Sequence, residues 1–562
     1  MSRERLLGRG DWLWVLAGGI CLLLAGGLSH LHSNQHQYFL FGLRLADDGF
    51  VTRDWFTWHT THYHFAFGYL LYLLQLIGPL LVTGLVAQWL TMTALAGGVH
   101  LLCRRLCEHP RQVYAAVIAW IGLASLFDMD LGYLNFVSGY LQPSEIAGAL
   151  LVLGLALPLE GRNLAAGIVL GLCGLFHASL MIAAAPVVLA LIAGGRRWRD
   201  RPALLQLALP LVLLWGVNAA LILYSRQQVS PADAQYSEIL FRFRSAHHYL
   251  PAAWPLGQTL NWCLWILFGG LALHTAARAR GQPEIRWSFW AALALTGLGA
   301  AAAGLELSRT LTMMVLWRIA PWVLLLGLIA LVDRWAAIAL AGRQRGLETT
   351  VLRLGLIAAG GYWAWRGASG WESGLRFAWL AALPAARFVG WASNRLRDDF
   401  GRARVASLIL VGALMVGAAG FGLLTRSGLI ADLAPEAAEM IEPVRLSTPE
   451  DAVLVVPPTA DWVVLRIEAR RALVVDFKCF PMLPGEIREW YARLVAVCGV
   501  PGPTDTVGFV QGYLGLDTAR ARMLRERFGA THVIVGRAWH RGNLAGLREV
   551  AQSQHYRLLE IP

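Results

Sequence analysis

Apolar runs close to the roughly 20 residues that an α-helix needs to cross a bilayer core recur along most of this chain, and arginines close many of them. They fall near residues 11–31, 79–102, 113–127, 144–160, 164–176, 178–194, 203–224, 257–276, 288–305, 311–333, 351–366, 372–392 and 405–424. The run 372–392 carries Arg376, Pro384 and Arg387, which suits it to lying flat on the membrane instead. With 57% hydrophobic and 15% charged residues among 562, and a mean hydropathy of +0.51, the composition excludes a soluble multidomain protein. The expected fold is a multi-pass α-helical membrane protein with roughly 11–13 transmembrane helices.

A formal net charge of +12 invites a nucleic-acid reading, but the arginines sit in short clusters between apolar runs and form no single basic face. They report topology, and no nucleic-acid partner is expected. With the N-terminus in the cytosol, the inner turns hold Arg104, Arg105 and Arg111, then Arg196, Arg197, Arg199 and Arg201, while the outer loop 128–143 holds no arginine. The first run follows Arg3, Arg5 and Arg9 like a secretory signal. It lacks a persuasive small-residue cleavage site, so it reads as a retained first helix. The polar segment 32–68 and the tail then lie outside the cytosol, dividing the chain into a membrane domain, 1–429, and an external domain, 430–562.

That tail has a different pattern. Residues 452–458, 472–478, 531–536 and 556–561 read as short strands, and 484–497 and 515–528 as amphipathic helices, predicting a small α/β domain with a largely parallel sheet. No glycine-rich phosphate loop follows any strand. If the tail is external, Cys479 and Cys498 are candidates for a disulfide.

Chemistry-bearing residues cluster at predicted external or interfacial sites. The first loop carries Asp47, Asp48 and Asp54 among aromatics and His59, His62 and His64, a mixture that suits either an active site or an ordinary membrane interface. A divalent metal held by those histidines is open, although their spacing matches no established metal motif. Asp128 and Asp130 lie in the second loop, and Arg309 follows Glu306 at a helix end. Arg242, Arg244, His247 and His248 could grip a phosphate, since guanidinium forms paired charge-assisted bonds and imidazole adds a donor; interfacial anchoring is the alternative. His177 and Arg318 are polar residues in apolar surroundings, with Arg318 free to pair with Glu306 or an anionic lipid, or to snorkel to the interface. Lys478 is the only lysine, with Asp476 close enough in sequence to position it.

This layout resembles the GT-C superfamily of membrane glycosyltransferases. More narrowly, NQHQYFLFGLRLADDGFVTRDWF (34–56), RSAHHYLP (244–251) and the segments TPEDAVLVVPP, RRALVVDFKCFP and EWYARL within 448–494 are similar to a family of largely uncharacterised bacterial integral membrane proteins related to it. The resemblance implies a GT-C-like membrane domain in the bacterial cytoplasmic membrane, a polyprenyl-phosphate or polyprenyl-diphosphate lipid donor among the surrounding membrane lipids, and a glycan, lipid or protein acceptor. It also implies a first-loop carboxylate acting as base or metal ligand. Where many members carry that carboxylate, this chain reads Asn34–Gln35–His36–Gln37, which moves the expectation to Asp48 and Asp54, with Asp47 third. Arg244, His247, His248, Arg242 and Arg309 are then expected to bind the donor phosphate, with Lys478, Asp476, Asp128 and Asp130 as accessory residues. A transporter or flippase, and a non-catalytic assembly protein of cell-envelope glycan synthesis, are the alternatives.

Overall fold

A computed structural model describes residues 9–26, 28, 34–124, 137, 139–195, 199–227, 234–341, 435–500 and 506–562. The first ten apolar runs all form helices, because continuous Leu, Ala, Val and Ile segments satisfy every backbone group internally. Among the described residues, five helices are long and apolar enough to cross a membrane, and four shorter apolar helices accompany them. The runs 351–366, 372–392 and 405–424, and the candidate residues Asp128 and Asp130, lie outside the described residues.

Small residues let these helices approach closely. A Cβ on Gly98 would lie 2.7 Å from the Leu153 amide nitrogen, so helix Leu80–Leu106 meets helix Pro143–Ala156 backbone to backbone. Gly167 does the same for helix Asn163–Phe176 against helix Arg201–Gln227, where a Cβ would lie 2.3 Å from the Leu207 carbonyl oxygen.

The first loop is more ordered than an interfacial loop. It comprises helix Gln35–Ala46, a turn over 47–53, a short helix Trp55–His59 capped by Asp54, and helix Phe65–Ile77. The last of these was not expected. Its 13 residues give about 20 Å of helix, too little to span. It packs instead along helix Gln35–Ala46, with Gly42 against Leu71 and Gly68 against Phe41.

The tail forms a five-stranded sheet of β1 (Val453–Val455), β2 (Ala472–Leu473), β3 (His532–Gly536), β4 (Arg548–Gln552) and β5 (Tyr556–Glu560), in the order β2-β1-β3-β5-β4. Strands β1, β2 and β3 run parallel, whereas β5 is antiparallel to both β3 and β4. The sheet is therefore mixed, which corrects the largely parallel expectation. Strand β4 went unforeseen because REVAQ is an exposed edge strand with no buried alternation to betray it.

One core runs without a break from this domain into the membrane bundle. Val453, Val455, Trp490, Phe509 and Val533 from the tail share it with Ile239, Phe241, Tyr249, Trp254 and Trp317. The domain thus rests on the segments around 239–254 and 315–320. Cys479 and Cys498 are both free thiols and lie in different clusters, so the disulfide expectation is corrected.

Candidate anion-binding site

Local sequence shapes the loop 476–480. The Asp476 carboxylate accepts the amides of Lys478 at 2.6 Å and Cys479 at 2.7 Å, a side-chain-to-backbone turn that fixes the lysine's position. Its other oxygen accepts from Arg466, whose Nε also donates to Asp54 at 2.6 Å. Asp54 is fully buried and accepts as well from the Thr57 amide at 2.8 Å, the Thr57 hydroxyl at 2.9 Å and the Leu473 amide at 2.9 Å. Burial works against the Arg466 charge, but Asp54 and Asp476 outweigh it and hold the guanidinium firmly protonated. The triad Asp54–Arg466–Asp476 ties the first loop to the sheet domain.

Beyond this triad lies a group of cations and phenols. Arg244 ends a π-helical turn, Ile239–Arg244, donates to the Lys478 carbonyl at 3.2 Å, and sits over the rings of Phe477 and Phe480 at 5.1 and 5.6 Å. Its Nε is buried with no hydrogen-bond partner. Burial lowers the Arg244 pKa, against an opposing pull from Asp476. Burial, then Arg244 itself, pushes Lys478 down to about 8, and burial followed by the same two cations lowers His247.

A second cationic group forms around Arg318 and His177. Val315 adopts a left-handed conformation, φ 49°, that a β-branched residue rarely takes. The break ends helix Arg309–Met314, and a 3-10 turn then carries Arg318 to the start of helix Ala320–Ala341. Arg318 donates to His177 Nε2 at 2.7 Å, leaving its own Nε buried and unbonded. Arginine can only donate, so His177 accepts there and carries its proton on Nδ1, 3.2 Å from the Ser179 hydroxyl. His64 donates Nδ1–H to the Phe176 carbonyl at 3.0 Å, and its ring lies 5.1 Å from that of His177. Burial lowers both pKa values, that of His64 to about 3, so both imidazoles are neutral. Tyr38 meets His64 edge-to-face with centroids 4.9 Å apart, Tyr63 lies tilted against it at 3.8 Å, and the two tyrosines share a side-chain hydrogen bond. Burial also raises Tyr38, Tyr63 and Tyr249, keeping three phenolic donors protonated.

Consecutive residues connect the two groups. Gln37 donates to the Phe480 carbonyl at 2.9 Å, beside Arg244, while Tyr38 turns to His64, beside His177 and Arg318. An arrangement of half-buried guanidinium, ammonium and phenol groups is suited to hold an anion.

The other expected residues separate. Asp47 accepts from Arg470 and from the Gly49 amide at 2.8 Å, and the Arg470 bond, then that amide, holds its pKa low. Asp48 is exposed on the same turn and bonds no described residue. Arg242 points away from Arg244, pairing with Glu306 at 2.6 Å and Glu238 at 2.9 Å, so Glu306 is taken by Arg242 and not by Arg318. Arg309 is exposed at its helix start. The His247 and His248 rings lie tilted against each other with centroids 4.1 Å apart. The three loop histidines diverge: His59 is exposed, His62 bonds the Thr57 carbonyl at 3.0 Å, and His64 faces His177. Among the described residues no three His, Cys, Asp or Glu side chains gather as metal ligands. Arg466, Tyr38 and Tyr63 escaped sequence reasoning; for Arg466 the only available signal was an arginine inside the otherwise apolar run VVLRI.

Comparison with known proteins adds a partial match. Residues 435–497, which contain Arg466, Asp476 and Lys478, match a family described as a domain of unknown function, DUF6798. No curated protein matches the chain. Among solved structures it is similar to the arabinofuranosyltransferase AftD from Mycobacteria, seen by cryo-EM as a point mutant, at 13% identity and a TM-score of 0.47. That likeness covers 99% of this chain but only 42% of the other, so the chain spans under half the length of that protein.

Proposed function

We propose that the chain is an integral membrane glycosyltransferase that takes a sugar from a polyprenyl-phosphate-type lipid and delivers it to an extracytoplasmic glycan, lipid or protein. The observation that carries this reading is the pairing of Arg244 with Lys478 where the sheet domain meets the bundle, next to a carboxylate, Asp476, whose oxygens are engaged by Arg466 and two amides. Such a site attracts a phosphate, and the surrounding helices offer apolar surface for a prenyl chain.

In the transfer, an acceptor hydroxyl attacks the anomeric carbon, the bond from that carbon to the phosphate oxygen breaks, and the departing phosphate keeps the electron pair. Arg244 and Lys478 stabilise that charge as it develops. The hydroxyl proton goes to a carboxylate; Asp48, exposed on its own turn with no bonded partner among the described residues, is the first-loop candidate and would have to approach the bound donor from that turn. Asp54 would have to release Arg466 first. In this reading the N-terminus is cytosolic and the sheet domain external, in a bacterial cytoplasmic membrane.

The test is sugar transfer in membranes supplied with lipid-linked donor. Arg244→Gln and Asp48→Asn should each abolish product while leaving the protein folded, and full product from both variants would overturn the proposal. The enclosure of Asp54 favours one other reading, a non-catalytic assembly protein, which predicts donor binding without turnover.

A further inference from the structure

We infer that the group around Arg318 is an oxyanion site of its own, and that it takes the carboxylate of an acidic sugar, a uronic acid, in the acceptor glycan. The inference rests on the glycosyltransferase reading above and narrows its acceptor.

Three observations support it. The first is an open edge on a guanidinium. Arg318 donates Nη1–H to His177, and its Nε is buried without a partner. Nε–H and Nη2–H point the same way from the other edge, at the spacing of two carboxylate oxygens. Among the described residues no group bonds to that edge.

The second is charge. Arg318 pairs with no described carboxylate, and its one bonded partner, His177, is a neutral imidazole. The groups that share its field are His64, also neutral, and the phenols of Tyr38, Tyr63 and Tyr249, which burial keeps protonated. A cation drawn partly out of water among neutral groups is costly until an anion joins it. A carboxylate brings one negative charge and two coplanar oxygens to this single fork, whereas a phosphate monoester brings closer to two charges at neutral pH.

The third is strain. Val315 is β-branched, yet its φ is 49°, and that break replaces a continuous helix with the turn Leu316–Ile319 that sets Arg318 against His177. Backbone strain of this kind persists where the surroundings enforce it, and it gathers at binding sites. The phenol hydroxyls beside the fork suit the hydroxyls that flank a carboxylate on a sugar ring.

The experiment measures binding of methyl glucuronide, methyl glucoside, acetate and farnesyl phosphate to the full chain in detergent by ligand-observed NMR. Methyl glucuronide should bind about tenfold or more tightly than methyl glucoside, the worth of a charge-assisted pair. Arg318→Gln should erase that preference, leave farnesyl phosphate affinity at the parent value, and unfold no lower than the parent without ligand, because it removes an uncompensated charge. Arg318→Lys keeps the charge without the fork and should retain only part of the preference. Equal affinity for the two glycosides, or a preference that survives Arg318→Gln, overturns the uronate assignment. A lower unfolding midpoint in Arg318→Gln means that the fold already stabilises the cation, and overturns it too. Acetate binding as tightly as methyl glucuronide assigns the edge to a free carboxylate, and loss of farnesyl phosphate binding in Arg318→Gln assigns it to a lipid phosphate; either result overturns the acidic sugar. A parent that prefers the glucuronide but binds no farnesyl phosphate overturns the donor reading and leaves this site standing.

Discussion

Replacing Arg466 with methionine, which roughly keeps its length and removes its charge, tests the joint between the first loop and the sheet domain. Arg466 and Asp476 are each 1% exposed and Asp54 is fully buried, so the guanidinium is screened by little water and stands between two carboxylates. Its removal leaves Asp54 with three donors and Asp476 with two, and each without its directly bonded countercharge. Breaking a buried pair costs about 3–5 kcal/mol, and here one deletion strands two anions, which argues for the upper end. Thermal unfolding of the full chain in detergent should show the loss, and amides 57, 473, 478 and 479 should exchange faster. The combination Asp54→Asn, Arg466→Met and Asp476→Asn should recover most of the stability, because neutral groups at all three positions abolish the mismatch. A single variant within about 0.5 kcal/mol of the parent, or a triple variant as unstable as the single, would refute the reasoning.

Three shorter predictions follow from the same geometry. Because burial and Arg244 bring Lys478 to about 8, a rise from pH 7 to 9 should discharge the ammonium and weaken farnesyl phosphate binding, a dependence flattened in Lys478→Met; a slope unchanged by that variant would remove Lys478 from the site. Cys479 and Cys498 should both be alkylated after unreduced denaturation, with Cys479 inert in the folded protein because burial raises its pKa; an intact Cys479–Cys498 link in mass spectra would contradict the separate clusters. A C-terminal reporter active only in the cytosol should stay silent, and strong activity would overturn the external placement of the sheet domain.

Sequence made the membrane helices legible because one physical requirement, an unbroken apolar run, is local. The site was legible only in parts. His177 and Arg318 stood out as polar residues at a costly depth, yet they meet across 141 residues, and no spacing rule forecasts that 2.7 Å contact. Asp54 looked like an available carboxylate because its partner Arg466 lies 412 residues later. Lys478 stood out by being alone of its kind, and its place beside Arg244 gives that a physical use, an ammonium whose charge can be tuned by burial. Helix Phe65–Ile77 was hidden because a short apolar segment rich in aromatics reads equally as the edge of an interface.

The central claim is that Arg244 and Lys478 hold the phosphate of a lipid carrier at the junction of the sheet domain and the bundle. A cryo-EM reconstruction of the full chain with bound farnesyl phosphate tests it most directly. The account predicts phosphate density within hydrogen-bonding distance of the Arg244 guanidinium and the Lys478 ammonium, with the farnesyl chain running between helices of the bundle. Phosphate density elsewhere, with Arg244 still stacked on Phe477 and Phe480 and touching no ligand atom, would contradict it.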